Sequence, residues 1–107
     1  MTITLINAFS MPEPESERFF QRWQDTAAVM AAQPGLIGAH MYRSLDADGD
    51  PRFVNVADWA SREAFLAATA TPEFRASTDA MRTDPDLHVT ARPVLYRVAY
   101  EVRPTAS

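Results

Sequence analysis

The feature that most constrains the fold is the hydrophobic period, which changes repeatedly between two and about 3.6 along 107 residues. Residues 2–9, TITLINAF, are β-branched and apolar and end at Ser-Met-Pro, as a buried strand does. From Glu15 to Ala32 the apolar positions Phe19, Trp23, Ala27 and Met30 recur at steps of four, four and three. Glu17, Arg22 and Asp25 lie elsewhere on the wheel, so the stretch reads as an amphipathic helix. Pro34 and Gly35 end it: proline cannot continue the hydrogen-bond ladder, and glycine accepts backbone geometry that strains other residues. The period then returns to two. LIGAHMYRS (36–44) and PRFVNVADW (51–59) flank the acidic, glycine-containing LDADGDP as strands of a hairpin. Ser61 is placed to cap SREAFLAATA, and Thr71, with Pro72 at the first helical position, restarts a helix through EFRASTDAMR. After the turn-rich TDPDLH, RPVLYRVAYEV (92–102) alternates as a last strand.

The resulting order, β-α-β-β-α-β, predicts an α+β fold of the ferredoxin-like split-βαβ type, an antiparallel sheet with helices on one face. One domain is expected over 1–107, with a core at about 2–103 and a polar tail at 104–107. Both faces of the central strands are apolar. Ile3, Leu5 and Phe9 oppose Ile6 and Ala8, and Phe53 and Ala57 oppose Val54 and Val56. Helices cover only one side of such a sheet, so the other is expected to meet a second copy in a homodimer packed sheet to sheet.

Missing residue types narrow the chemistry. The chain has no cysteine and no lysine, which removes thiolate nucleophiles, thiolate metal sites and Schiff bases. Two histidines, His40 and His88, stand far apart without HxH or HxxxH spacing, so no metal is expected. DADGD begins like a calcium loop, but the twelfth position from Asp46 is Ala57 where a bidentate glutamate is needed. A net charge of −4 without a basic cluster argues against nucleic acid. No apolar run is long enough for a membrane span and no leader pattern opens the chain, so a cytoplasmic location is expected.

Asn55 and Trp59 share a face of the third strand with Phe53 and Ala57, and Asn7 shares a face of the first with Leu5 and Phe9. In a split-βαβ sheet these strands are central neighbours, so two carboxamides are expected side by side beneath the helices. A buried amide left unpaired costs about 1–3 kcal/mol, so each must bond the protein or a ligand, and the sequence leaves both open. Trp59 ends the strand just before a helix, where an indole is more often plain core than catalyst.

LIN at 5–7, QPGLIG at 33–38, FVNVADW at 53–59 and REAFLAATATPEF at 62–74 resemble the antibiotic biosynthesis monooxygenase family of dimeric α/β-barrel proteins. More narrowly, they resemble its anthrone oxygenases from aromatic polyketide pathways. The resemblance runs over roughly residues 3–82. It implies a cofactor-independent oxidation of a small aromatic phenol to a quinone by O2, with Asn7, Asn55 and Trp59 at the catalytic positions and no cofactor. Trp23, Met30, Phe65, Phe74 and Met81 are candidates to bind the substrate, although residues at helical spacing also describe ordinary core. Some members carry a tyrosine where this chain has Phe65, which stacks but donates no proton. A haem-degrading branch needs a histidine between Phe65 and Arg82, and there is none. His40 is a candidate base or a strand histidine, His88 a surface residue, Arg82 a partner for an acidic phenol or a solvated helix end. Ala67, Ala68 and Ala70 either leave room for a flat polycycle or simply favour helix. A cyclase or isomerase using the same enolate, or a non-catalytic binding module, needs the same donors.

Overall fold

A computed structural model describes residues 1–105. Four strands, β1 (Ile3–Ser10), β2 (Leu36–Arg43), β3 (Phe53–Trp59) and β4 (Thr90–Tyr96), form one antiparallel sheet in the order β2-β3-β1-β4. Three helices, α1 (Ser16–Ala31), α2 (Arg62–Thr69) and α3 (Pro72–Arg82), complete the ferredoxin-like fold. A single 3-10 turn at Glu13–Glu15 precedes α1.

The predicted punctuation acts where it was expected. Gly35 has φ 93°, and a Cβ there would stand 2.6 Å from that of Ala64, so both the backbone and the packing demand glycine. The Ser61 hydroxyl accepts the Ala64 N–H at 3.0 Å, and the Thr71 hydroxyl accepts the Phe74 N–H at 3.2 Å. These caps fix the starts of α2 and α3, each contributing about 1 kcal/mol. In the β2–β3 hairpin the buried Arg52 turns its guanidinium onto the carbonyls of Asp46 (3.0 Å) and Ala47. The acidic loop is thus gathered around a cation of its own chain.

The last strand differs from expectation. It starts two residues early, at Thr90, and ends at Tyr96. The alternation continues through Val98, Tyr100 and Val102, which are exposed. Its partner has run out: Thr4 pairs with Tyr96, and β1 begins at Ile3. Period two reports a sequence able to be a strand, whereas a ladder also needs a neighbour.

The core lies between sheet and helices and falls into two parts. One gathers Leu5, Ala57, Trp59 and Ala68, the other Phe9, Phe19, Phe53 and Leu87. In the second, the rings of Phe9 and Phe19 lie 4.8 Å apart and those of Phe19 and Phe53 5.2 Å. Phe19 is fully buried, and removing such a side chain from water contributes about 2–3 kcal/mol. Leu5 pairs with Ala57 and Phe9 with Phe53, so the row between them, Asn7 with Asn55, separates the two clusters.

Candidate active site

The strand register makes Asn7 and Asn55 direct partners on the two central strands, with Met41 and Pro93 continuing the row to either edge. Above this row lies a cavity of about 610 Å³. Its floor is β1 and β3, with Leu5, Asn7, Phe9, Asn55, Ala57 and Trp59. Its roof is helical, with Trp23, Met30, Phe65, Phe74 and Met81 among the lining residues. All eight sequence-derived candidates therefore border one space. The helical residues serve two purposes, because Met30 and Phe65 also pack on one core cluster and Trp23 and Met81 on the other.

Hydrogen bonding singles out three of the eight. The side-chain oxygens of Asn7 and Asn55 and the indole nitrogen of Trp59 are buried and have no hydrogen-bond partner. Each such atom costs about 1–3 kcal/mol until something pairs with it. Each carboxamide can accept through its oxygen and donate through its NH2 group, and the indole N–H donates, as suits an oxyanion. Phe65 stands edge-on to Trp59, with centroids 5.6 Å apart and planes at 75°, and closes that end with carbon.

Other candidates fall elsewhere. His40 pairs with Val56 on the opposite, outward face and stacks on Tyr42 at 5.9 Å, so it is no base for this cavity. Ala68 is buried in the core, Ala67 and Ala70 are exposed, and none of the three borders the cavity. The inward positions of α2 are instead Ala64, Phe65 and Ala68, one helical stripe, with Thr69 reaching the lining.

Sequence reasoning passed over the wall formed by the segment after α3 and by β4, where Leu87, Val89, Ala91 and Pro93 line the cavity. Ion pairs hold that wall. Asp84, whose side chain is fully buried, accepts from Arg18 Nε at 2.9 Å, from Arg22 Nε at 3.2 Å and from the Asp86 N–H at 2.9 Å. The Arg18 hydrogen bond, followed by the Asp86 N–H, lowers its pKa to about 2. Glu15 accepts from the His88 N–H at 2.5 Å and meets its Nδ1 at 2.8 Å, and the His88 hydrogen bond holds its carboxyl below the ordinary range. The acidic residue three before Leu87 was the available signal, but nothing in the sequence named its arginines.

Residues 2–80 match the family model described as antibiotic biosynthesis monooxygenase. The chain is 35% identical over 82 residues to a deoxynogalonate monooxygenase of Streptomyces nogalater, a match that spans 75% of this chain and 65% of that enzyme. Among solved structures, it resembles SnoaB, a cofactor-independent oxygenase from Streptomyces nogalater, at TM-score 0.74 and 30% identity, covering 96% of this chain and 98% of that one. It also resembles the haem-degrader MhuD of Mycobacterium tuberculosis, at TM-score 0.69 and 26% identity over 94% and 99% of the two chains.

Proposed function

The chain belongs to the antibiotic biosynthesis monooxygenase family, and from that membership we propose that it is a cofactor-independent oxygenase that converts an anthrone-type phenol of polyketide origin to a quinone with O2. The observation that carries this reading is that Asn7, Asn55 and Trp59, each with a buried polar atom that has no partner, line one largely apolar cavity large enough for a fused-ring substrate.

The chemistry needs little from the protein beyond stabilising an enolate. Loss of a proton from the anthrone methylene gives an extended, electron-rich enolate, which passes one electron to O2. The resulting radical and superoxide combine at the former methylene carbon, and the hydroperoxide, once protonated, loses water to leave the second quinone carbonyl. One oxygen atom enters the product and the other leaves as water. The Asn55 amide N–H and the Trp59 indole N–H are the donors for the developing oxyanion, and the Asn7 carboxamide orients the substrate beside them. In a dry cavity such preorganised dipoles act more strongly than in water.

A haem held through histidine does not suit this cavity. Its lining contains no imidazole among the described residues, His40 faces the other side of the sheet, and His88 is engaged with Glu15. The outer sheet face, with Ile6, Val54, Val56, Val94, Tyr42 and Tyr96, is the proposed contact of a homodimer. Tyr42 and Tyr96 are about half exposed in the single chain, which supports that reading.

The direct test is oxygen uptake and quinone formation with an anthrone in metal-free buffer. Turnover is expected for the wild type and a loss of about 10²-fold or more for Asn55→Ala and for Trp59→Phe. Full activity in both variants would remove the site assignment, and tight binding without turnover would make the protein a binder.

A further inference from the structure

We propose that Met30 and Met81 are turnover-linked oxidation sites, whose thioethers take an oxygen atom from the hydroperoxide formed in the cavity and thereby shut the site down. This rests on the reading of the cavity as an oxygenase site and adds to it a built-in limit on turnover.

The chain has five methionines and no cysteine. Met30 on α1 and Met81 on α3 line the cavity, whereas Met1, Met11 and Met41 do not. Sulfur is the side-chain atom that a peroxide oxidises most readily, and without a thiol in the chain the thioethers meet no competitor of that kind. The two methionines are half-buried and sit over different parts of the core. Met30 packs on the cluster of Leu5, Ala57, Trp59 and Ala68, and Met81 on that of Phe9, Phe19, Phe53 and Leu87. They therefore flank the Asn7–Asn55 row, which separates the clusters. A ring system seated on that row forms its hydroperoxide in a space whose oxidisable sulfurs are these two.

The step balances. A sulfur lone pair attacks the outer oxygen of the hydroperoxide, the S–O bond forms as the O–O bond breaks, and the hydroperoxide proton passes to the inner oxygen. Sulfur is oxidised to the sulfoxide and the peroxide is reduced to a hydroxyl group, so the event releases a carbinol in place of quinone and water. Both atoms of O2 are accounted for, one on sulfur and one on carbon. A polar, chiral sulfoxide then stands where a soft apolar thioether filled the wall. At Met30 the new oxygen is an acceptor on the cluster that contains Trp59, whose indole N–H is buried without a partner. Capture of that N–H withdraws one of the donors for the developing oxyanion, and turnover stops.

Peptide mass spectrometry after turnover of an anthrone under isotopically heavy dioxygen tests this, with catalase present to remove released peroxide and with quinone measured in the same sample. Met30 and Met81 should gain one heavy oxygen each before Met11 and Met41 do, in step with a falling rate, and carbinol should accumulate in amounts matching the sulfoxide. Hydrogen peroxide added without substrate should show no preference for the cavity pair. The double variant Met30→Leu, Met81→Leu should complete severalfold more turnovers before inactivation, whatever its initial rate, because leucine keeps most of the volume without the sulfur. Quinone formation that leaves both methionines unoxidised, or label that appears first on Met11 and Met41, would overturn the proposal while leaving the oxygenase reading intact. Absence of oxygen uptake and of quinone would overturn that reading and this proposal with it.

Discussion

Asn55 meets Asn7 across the sheet with both amide oxygens unpaired, at a row where the flanking rows are hydrocarbon. Such an arrangement stabilises nothing in the free protein, so replacing one amide by carbon should help the fold and harm the reaction. Asn55→Leu is expected to raise unfolding free energy by about 1 kcal/mol, seen as a higher Tm in calorimetry, while abolishing quinone formation. A lowered Tm would mean that the amide is satisfied in solution by something the cavity holds tightly. At this scale the sequence was informative where period two is strict: the shared face of Asn55 and Trp59 follows from spacing alone. The side of the sheet taken by His40 was not legible in the same way, because its pairing with the outward-facing Val56 depends on the bulge between Leu36 and Gly38. A bulge shifts every later residue to the other face and leaves no mark in the spacing.

Among the elements, the caps of α2 and α3 were legible because Ser and Thr in those positions act within three residues. The segment between α3 and β4 was not, because the arginines that bind Asp84 come from the far side of the chain. Its pH behaviour follows from Asp84. The folded pKa, about 2, lies below the roughly 3.9 of a free aspartate, so the stabilisation is present above pH 4 and is lost as pH falls toward 2. Asp84→Asn should therefore lower the Tm at neutral pH and show a shallower decline between pH 4 and pH 2. Thermal melts across that range would check it, and parallel curves for the two proteins would contradict the linkage. Because Leu87 and Val89 ride on this segment, the same variant should also loosen one wall of the cavity.

For the whole molecule, the alternation that predicted a four-stranded sheet also predicted two apolar faces, of which the helices cover one. The outer row His40, Val56, Ile6 and Val94 lies at the centre of the other. If a second copy covers it, a charge at Val56 is intolerable there and harmless in an isolated chain. Val56→Glu is expected to convert a dimer into a folded monomer, measured by light scattering alongside an unchanged far-UV circular dichroism spectrum. A dimer that persists would direct the contact elsewhere. Where the pattern overreached, at Val98, Tyr100 and Val102, it did so because alternation describes a chain and pairing describes two.

The pairing of Asn7 with Asn55 has a consequence for how the site comes into being. The two amides belong to strands separated by a helix and a hairpin, and a slip of one residue between those strands would turn one amide to the far face while leaving the ladder largely intact. No local fragment of the chain therefore contains the site, and no misregistered sheet does. A ligand that requires both amides recognises only correctly threaded molecules, and by mass action it draws the population toward them. The cavity is in that sense a proofreader of its own sheet.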